Sequence, residues 1–153
     1  MMYLLTTPTD LVVVVDGKSF ETHKEILRQS SKVFEKMLNG EFKAATENKI
    51  ILNHINPKVF AEFMHYLNLG RDYSAPFEII FALHAFGEQY MITALCANIV
   101  NKLLQYNHQL CPVLTFEVAF RAKHLQLMQR ASKVGKNSLV MTILIQDNNY
   151  VTF

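Results

Sequence analysis

A chain of 153 residues, half of them hydrophobic and 18% charged, has the composition of a packed globular domain with room for part of a second, and not that of a disordered segment. Its formal net charge of +2 is too small to draw the whole molecule to nucleic acid or a membrane surface. Two cysteines, Cys96 and Cys111, both in apolar surroundings, are expected to be buried, unbridged thiols of an intracellular protein.

In chain order, Met1-Met2-Tyr3-Leu4-Leu5 lacks the basic start and long apolar stretch of a signal peptide, so a cytoplasmic or nuclear location is expected. The strand Leu11 to Val15 is cut by Asp16-Gly17, and Lys18-Ser19-Phe20-Glu21 reads as its return, because Asp-Gly supplies the two positive φ angles of a type I′ turn. A short helix at His23 to Leu27 follows, with His23 a structural hydrogen-bonder at its start. Ser31 then caps a second helix, Lys32 to Leu38, with Val33, Phe34 and Met37 on one face and Asn39-Gly40 as its stop.

Lys49 to Leu52 reads as a third strand. Asn56-Pro57 opens a helix with an apolar stripe at Phe60, Phe63, Met64 and Leu67, closed by Gly70. Pro76 opens the next, with Ile80, Leu83, Phe86 or Gly87, and Tyr90 at helical spacing. Thr93 caps another, with Leu95, Ile99 and Leu103. A small mixed sheet flanked by helical hairpins, an α+β architecture, is the expected fold.

With these elements in order, the chain resembles the BTB/POZ domain family. The resemblance covers about residues 10 to 105 and is carried by Asp10-Leu11-Val12, Phe20, His23-Lys24, Leu27, Ser30-Ser31, Val33-Phe34, Met37-Leu38 and Phe42. It continues through Ile50, Leu52, Val59-Phe60, Tyr66-Leu67, Gly70, Ala85, Tyr90, Leu95 and Leu103. Where the family has Tyr-x-Tyr-Thr-Gly, this chain has Tyr66-Leu67-Asn68-Leu69-Gly70. Only nine residues, Pro8 among them, precede Asp10, so the family's N-terminal dimer helix is expected to be absent and a homodimer of the usual kind weak.

The resemblance implies a protein-binding role: an adaptor that docks the cullin-3 scaffold of a ubiquitin ligase and presents a substrate. The alternative is a scaffold or oligomerisation module without a cullin, transcription-associated or decoy-like. The family's hydrophobic-x-Glu docking motif is degraded to Phe42-Lys43-Ala44. Leu38, Asn39, Phe42, Lys43, Tyr66 and Asn68 are the partner-binding surface the resemblance implies, and Asp10 and Lys24 fall where dimeric relatives form a charged pocket. A structural salt bridge beneath the hairpin is the plainer reading of that pair.

Residues 1–105 are thus expected to form the BTB/POZ domain and 106–153 an extension. Tyr106 to Pro112 reads as a connector. Phe116 to Val134 is helical, with Val118, Ala122 and Leu125 on one face and Phe116, Phe120 and Leu127 on another, and it resembles the first helix pair of a BACK or three-box region over about 113–134. Two helices simply extending the core explain the same pattern. Ser138 to Ile145 leans to strand, Asp147-Asn148-Asn149 to a turn, and Tyr150 to Phe153 could pair back.

No arrangement of His, Cys, Ser or Gly fits an enzyme site, a metal site or a phosphate loop, so neither catalysis nor a cofactor is expected. Arg121, Lys123, Arg130, Lys133 and Lys136, with no acid between Val118 and Gln146, read as a solvated helix face, and a nucleic-acid partner is not expected.

Overall fold

The computed structural model describes residues 8–39, 46–76, 78–105 and 112–135. The chain divides into two compact units, residues 1–95 and 96–153.

The first unit is built on a three-stranded mixed sheet of order β2-β1-β3. Strand β1 (Leu11–Val15) turns at Asp16-Gly17, whose φ angles of +45° and +83° give the tight reversal expected of Asp-Gly, and pairs antiparallel with β2 (Lys18–Thr22). Strand β3 (Lys49–Leu52) adds in parallel on the other side of β1, Val13 opposite Ile50. The sheet alternates cleanly. Leu11, Val13, Val15, Ile50 and Leu52 are buried on one face.

Helices α1 (Lys24–Ser30) and α2 (Lys32–Leu38) follow the hairpin. Ser31 separates them and serves both. Its Oγ accepts the N–H groups of Val33 and Phe34, each at 3.1 Å, and donates to the carbonyl of Tyr90. The residues α2 buries are Phe34 and Leu38, four apart, while Val33 and Met37 are half-buried. The inward face is therefore rotated from the Val33–Phe34–Met37 expectation. Helix α3 (Pro57–Leu69) starts as Asn56-Pro57 implied, with Asn56 Oδ1 accepting the Lys58 N–H at 2.9 Å, and buries Val59, Phe60, Phe63 and Leu67. Gly70, at φ +58°, ends it, and a 3₁₀ turn spans Gly70–Asp72.

Helix α4 (Ile80–Gln89) begins four residues after Pro76, not at it. Proline only permits a helix start. Here Pro76 precedes a turn in which its carbonyl accepts the Ile79 N–H. The end of α4 is closed by a Schellman motif: Ile92 N–H reaches Gly87 O at 2.7 Å and Met91 N–H reaches Glu88 O at 3.1 Å, with Met91 at φ +53°. Helix α5 (Thr93–Gln105) runs across the division between the units, and Thr93 is its first residue rather than its cap.

In the second unit, Ile99, Val100 and Leu103 of α5 are buried, and Cys96 is half-buried rather than buried. The helical stretch expected over 116–134, read as a helix pair over about 113–134, is two helices, α6 (Pro112–Arg121) and α7 (Leu125–Gly135). The break is a second Schellman motif, with Lys123 at φ +53°, His124 N–H on Ala119 O at 2.8 Å and Lys123 N–H on Phe120 O at 3.0 Å. His124 then faces the start of α7, its Nδ1 accepting the Leu127 N–H at 3.4 Å. Phe116 and Ala131 are buried with Met128 packed against them. Phe120 and Leu125, expected inside, are 41% and 58% exposed. They lie at the two helix ends beside the reversal, outside the α6–α7 seam. The strand and turn expectations for 138–153, the connector 106–111 and Cys111 lie outside the described residues.

Candidate functional site

The surface named from the sequence centres on the ends of α2 and α3. At the end of α2, Leu38 is 1% exposed, so its side chain belongs to the core and supports the surface rather than presenting it. Its carbonyl is used instead: Arg28 of α1 donates to it through Nη2 at 2.7 Å. Asn39 is exposed, in extended conformation, with its N–H on Glu35 O. Phe42, Lys43 and Ala44 lie outside the described residues.

At the end of α3, Tyr66 is half-buried and Asn68 exposed. The Tyr66 ring stands edge-on to Tyr73, centroids 5.7 Å apart. Tyr73 in turn donates its hydroxyl to Glu62 Oε2 at 2.9 Å. Burial, and then the hydrogen bond and negative charge of Glu62, hold the Tyr73 phenol well above its ordinary value. Tyr66 is thus oriented by a buried neighbour that stays neutral and hydrogen-bonded.

Tyr66 also lines an open cavity of about 260 Å³, together with Ile26, Gln29 and Ser30 of α1, Leu67, Gly70, Ile92 and Ala94. Sequence reasoning missed this groove. The available signal was the spacing of Ile26, Gln29 and Ser30, three and four apart on one face of a seven-residue helix. Leu69, 56% exposed, is a further apolar residue beside Asn68. Helix α1 connects the two ends of the surface: Arg28 grips the end of α2, and Ile26, Gln29 and Ser30 share the groove with Tyr66.

Asp10 and Lys24 do meet. Asp10 Oδ1 accepts the backbone N–H of Lys24 at 2.8 Å and so caps α1 from outside the helix. His23 sits at the cap position but makes no side-chain cap bond, so the structural hydrogen bond expected of it is supplied by Asp10. Of the basic residues, Arg121 pairs with Glu117 at 2.8 Å and Arg130 donates to the carbonyl of Leu104, which leaves Lys123 and Lys133 as separate exposed charges rather than a stripe. Lys136 lies outside the described residues. Among the described residues no group of His, Cys, Asp and Glu could hold a metal ion, and no helix is long and apolar enough to cross a membrane.

A hairpin feeding two short helices, a third strand added in parallel, and an open groove beside Tyr66 define a small α+β domain. The BTB/POZ domain profile matches residues 2–106, and the chain belongs to that family, whose fold mediates protein–protein interaction. Over 63 residues the chain is 36% identical to two mouse proteins, TD and POZ domain-containing protein 1 and TD and POZ domain-containing protein 1-like. The match takes in 41% of this chain and 17% of each relative, so the chain aligns with less than a fifth of their length. Among solved structures, the BTB domain of zebrafish PATZ1 superposes with a TM-score of 0.53 at 18% identity, covering 64% of this chain and 77% of that one, a likeness of fold.

Proposed function

We propose that this chain is a BTB adaptor that docks a cullin-3 ubiquitin-ligase scaffold through the ends of α2 and α3 while residues 106–153 act as a BACK- or three-box-like extension toward a substrate. The observation that supports this reading most is the linkage through α1, which places exposed Asn39 at one end of a surface and the oriented Tyr66, with Asn68 and Leu69, at the other. The family resemblance adds Phe42 and Lys43 to the residues to be tested. A cytoplasmic or nuclear location follows from the role.

The docking is expected to be weak. Ala44 stands where the family's motif has Glu, and a missing charge-assisted hydrogen bond lowers affinity by about ten- to a hundredfold. Asn68 replaces a tyrosine of the kind that anchors interfaces. These two departures favour the second reading, a scaffold, oligomerisation or decoy-like module that binds other proteins without a cullin.

Calorimetry against the cullin-3 N-terminal domain separates the two. The adaptor reading expects micromolar binding that Ala44→Glu strengthens and Tyr66→Ala weakens by about tenfold. Absence of heat at ~100 µM, for the native chain and for Ala44→Glu alike, leaves only the second reading.

A further inference from the structure

Helix α5 ends at Gln105, and its last carbonyl groups have no amide partner within the helix. One of them, the carbonyl of Leu104, is taken by Arg130 of α7, whose Nη1 donates to it across 26 residues of sequence. The C-terminal end of a helix carries partial negative charge, so a guanidinium there adds electrostatic attraction to the hydrogen bond. Arg130 is exposed, and among the described residues it is held in no ion pair. Neither the apolar core nor the surface at the ends of α2 and α3 uses this contact.

We infer that Arg130 is a latch: its hold on the end of α5 sets the pose of the α6–α7 hairpin against that helix, and losing the hold frees the pose without unfolding the hairpin. The argument is a division of labour between two kinds of contact. The hairpin supplies its own seam, where Phe116 and Ala131 are buried with Met128 packed against them. It also supplies its own reversal, closed by the backbone bonds that His124 and Lys123 make to Ala119 and Phe120. Both belong to α6 and α7 alone, and both are apolar or main-chain. The Arg130 contact is polar, lies on the exposed side of α7 and reaches a different helix.

The strength of the contact suits a latch. One exposed bond from a charged donor at a helix end shifts an equilibrium by about three- to tenfold, enough to select a pose and little enough to release it. Because the attraction is partly ionic and open to solvent, it weakens as salt rises. The latch acts whichever partner the extension meets, so the inference does not rest on cullin docking. In this scheme Arg130 is a positioning residue.

The test is double electron–electron resonance on the full chain. Cys96→Ala and Cys111→Ala remove the native thiols, and Ala97→Cys on α5 with Gln126→Cys on α7 places spin labels at two exposed positions. At an ionic strength of ~0.05 M the expected result is one narrow distance for this background and a distribution at least about twofold wider once R130A is added. R130K, which keeps a cationic donor, should stay closer to the background than R130A does. Raising the ionic strength to ~0.5 M should widen the background distribution and leave that of R130A unchanged. Hydrogen exchange of the α6 and α7 amides should remain within about twofold of native in R130A, because the hairpin holds itself. A distribution in R130A as narrow as the background overturns the inference. So does a broad background distribution at low salt, an R130K no better than R130A, or indifference of the background to salt. Exchange of the α7 amides about tenfold faster in R130A also overturns it, by making Arg130 part of the hairpin's own structure.

Discussion

The two units hold themselves together by different means. In the first, aromatic rings form a connected cluster across elements far apart in sequence. Phe20 meets Phe60 at 5.0 Å, Phe60 meets Phe63 at 5.7 Å, Phe63 meets Phe86 at 5.2 Å, Phe86 meets Tyr90 at 4.6 Å and Tyr90 stacks on Phe34 at 4.9 Å. In the second, helices α6 and α7 are neighbours in sequence, and the α6–α7 seam is Phe116 with Ala131 and Met128. The first unit spreads its stability over long-range contacts, so losing one ring disturbs many partners. Among the described residues of the second, the seam is a local helical hairpin that leaves Phe120 and Leu125 outside, with Ile99, Val100 and Leu103 of α5 also buried.

Four measurements would break or sharpen this contrast. The largest effect is expected at Phe63, which is fully buried and touches three other rings. Phe63→Ala should lower the stability of the first unit by about 3–5 kcal/mol in chemical denaturation. Phe120→Ser, at an exposed ring, should stay within about 0.5 kcal/mol. If both substitutions cost the same, the contrast between the units fails.

Next is Ser31→Ala. It removes a helix cap and leaves the buried carbonyl of Tyr90 without that donor, for a loss of about 2 kcal/mol.

Tyr73 and Tyr90 come third. Burial holds both phenols above their ordinary value in the folded state, with Glu62 adding to the effect at Tyr73. A group whose folded value is raised contributes stability that is complete below its unfolded value and is lost as pH rises beyond it. The first unit should therefore keep its stability up to about pH 10 and lose it above that, while Tyr73→Phe should cost about 1 kcal/mol at neutral pH and flatten the alkaline loss.

The smallest effect is a gain. Met91 and Lys123 both occupy left-handed backbone at exposed positions, and Met91→Gly or Lys123→Gly should raise the melting temperature slightly, by about 0.5–1 kcal/mol of stability each. A loss instead would show that the native side chain packs against something.

Features carried by local chemistry are legible in the amino-acid sequence alone. The Asp16-Gly17 turn, the Ser31 cap, the Asn56-Pro57 start and the third strand all rest on residues that specify their own backbone. The helix ends at Met91 and Lys123 are not legible in this way, because neither uses the glycine that usually marks a Schellman motif. For that reason the helix pair over about 113–134 is legible from the sequence without the position of its break. The family resemblance puts Leu38 on the partner surface, while the local spacing puts Val33 and Met37 inside. Phe34 and Leu38, four apart, carry the inward face instead. The groove beside Tyr66 is hidden for a different reason: its walls come from α1, α3 and the residues around Ile92, and no local pattern reports which distant segments share a rim.

The parallel register of β1 and β3 also bears on how the chain folds. As the chain folds, the hairpin of β1 and β2 closes through a local turn, but the other edge of β1 pairs only once the longer loop to β3 has closed. In the interval the folding chain displays Leu-Val-Val-Val-Val, uncharged and strongly β-forming, as an open template. Until that parallel pair forms the edge is open to mispairing, so refolding at high protein concentration should lose yield to aggregation.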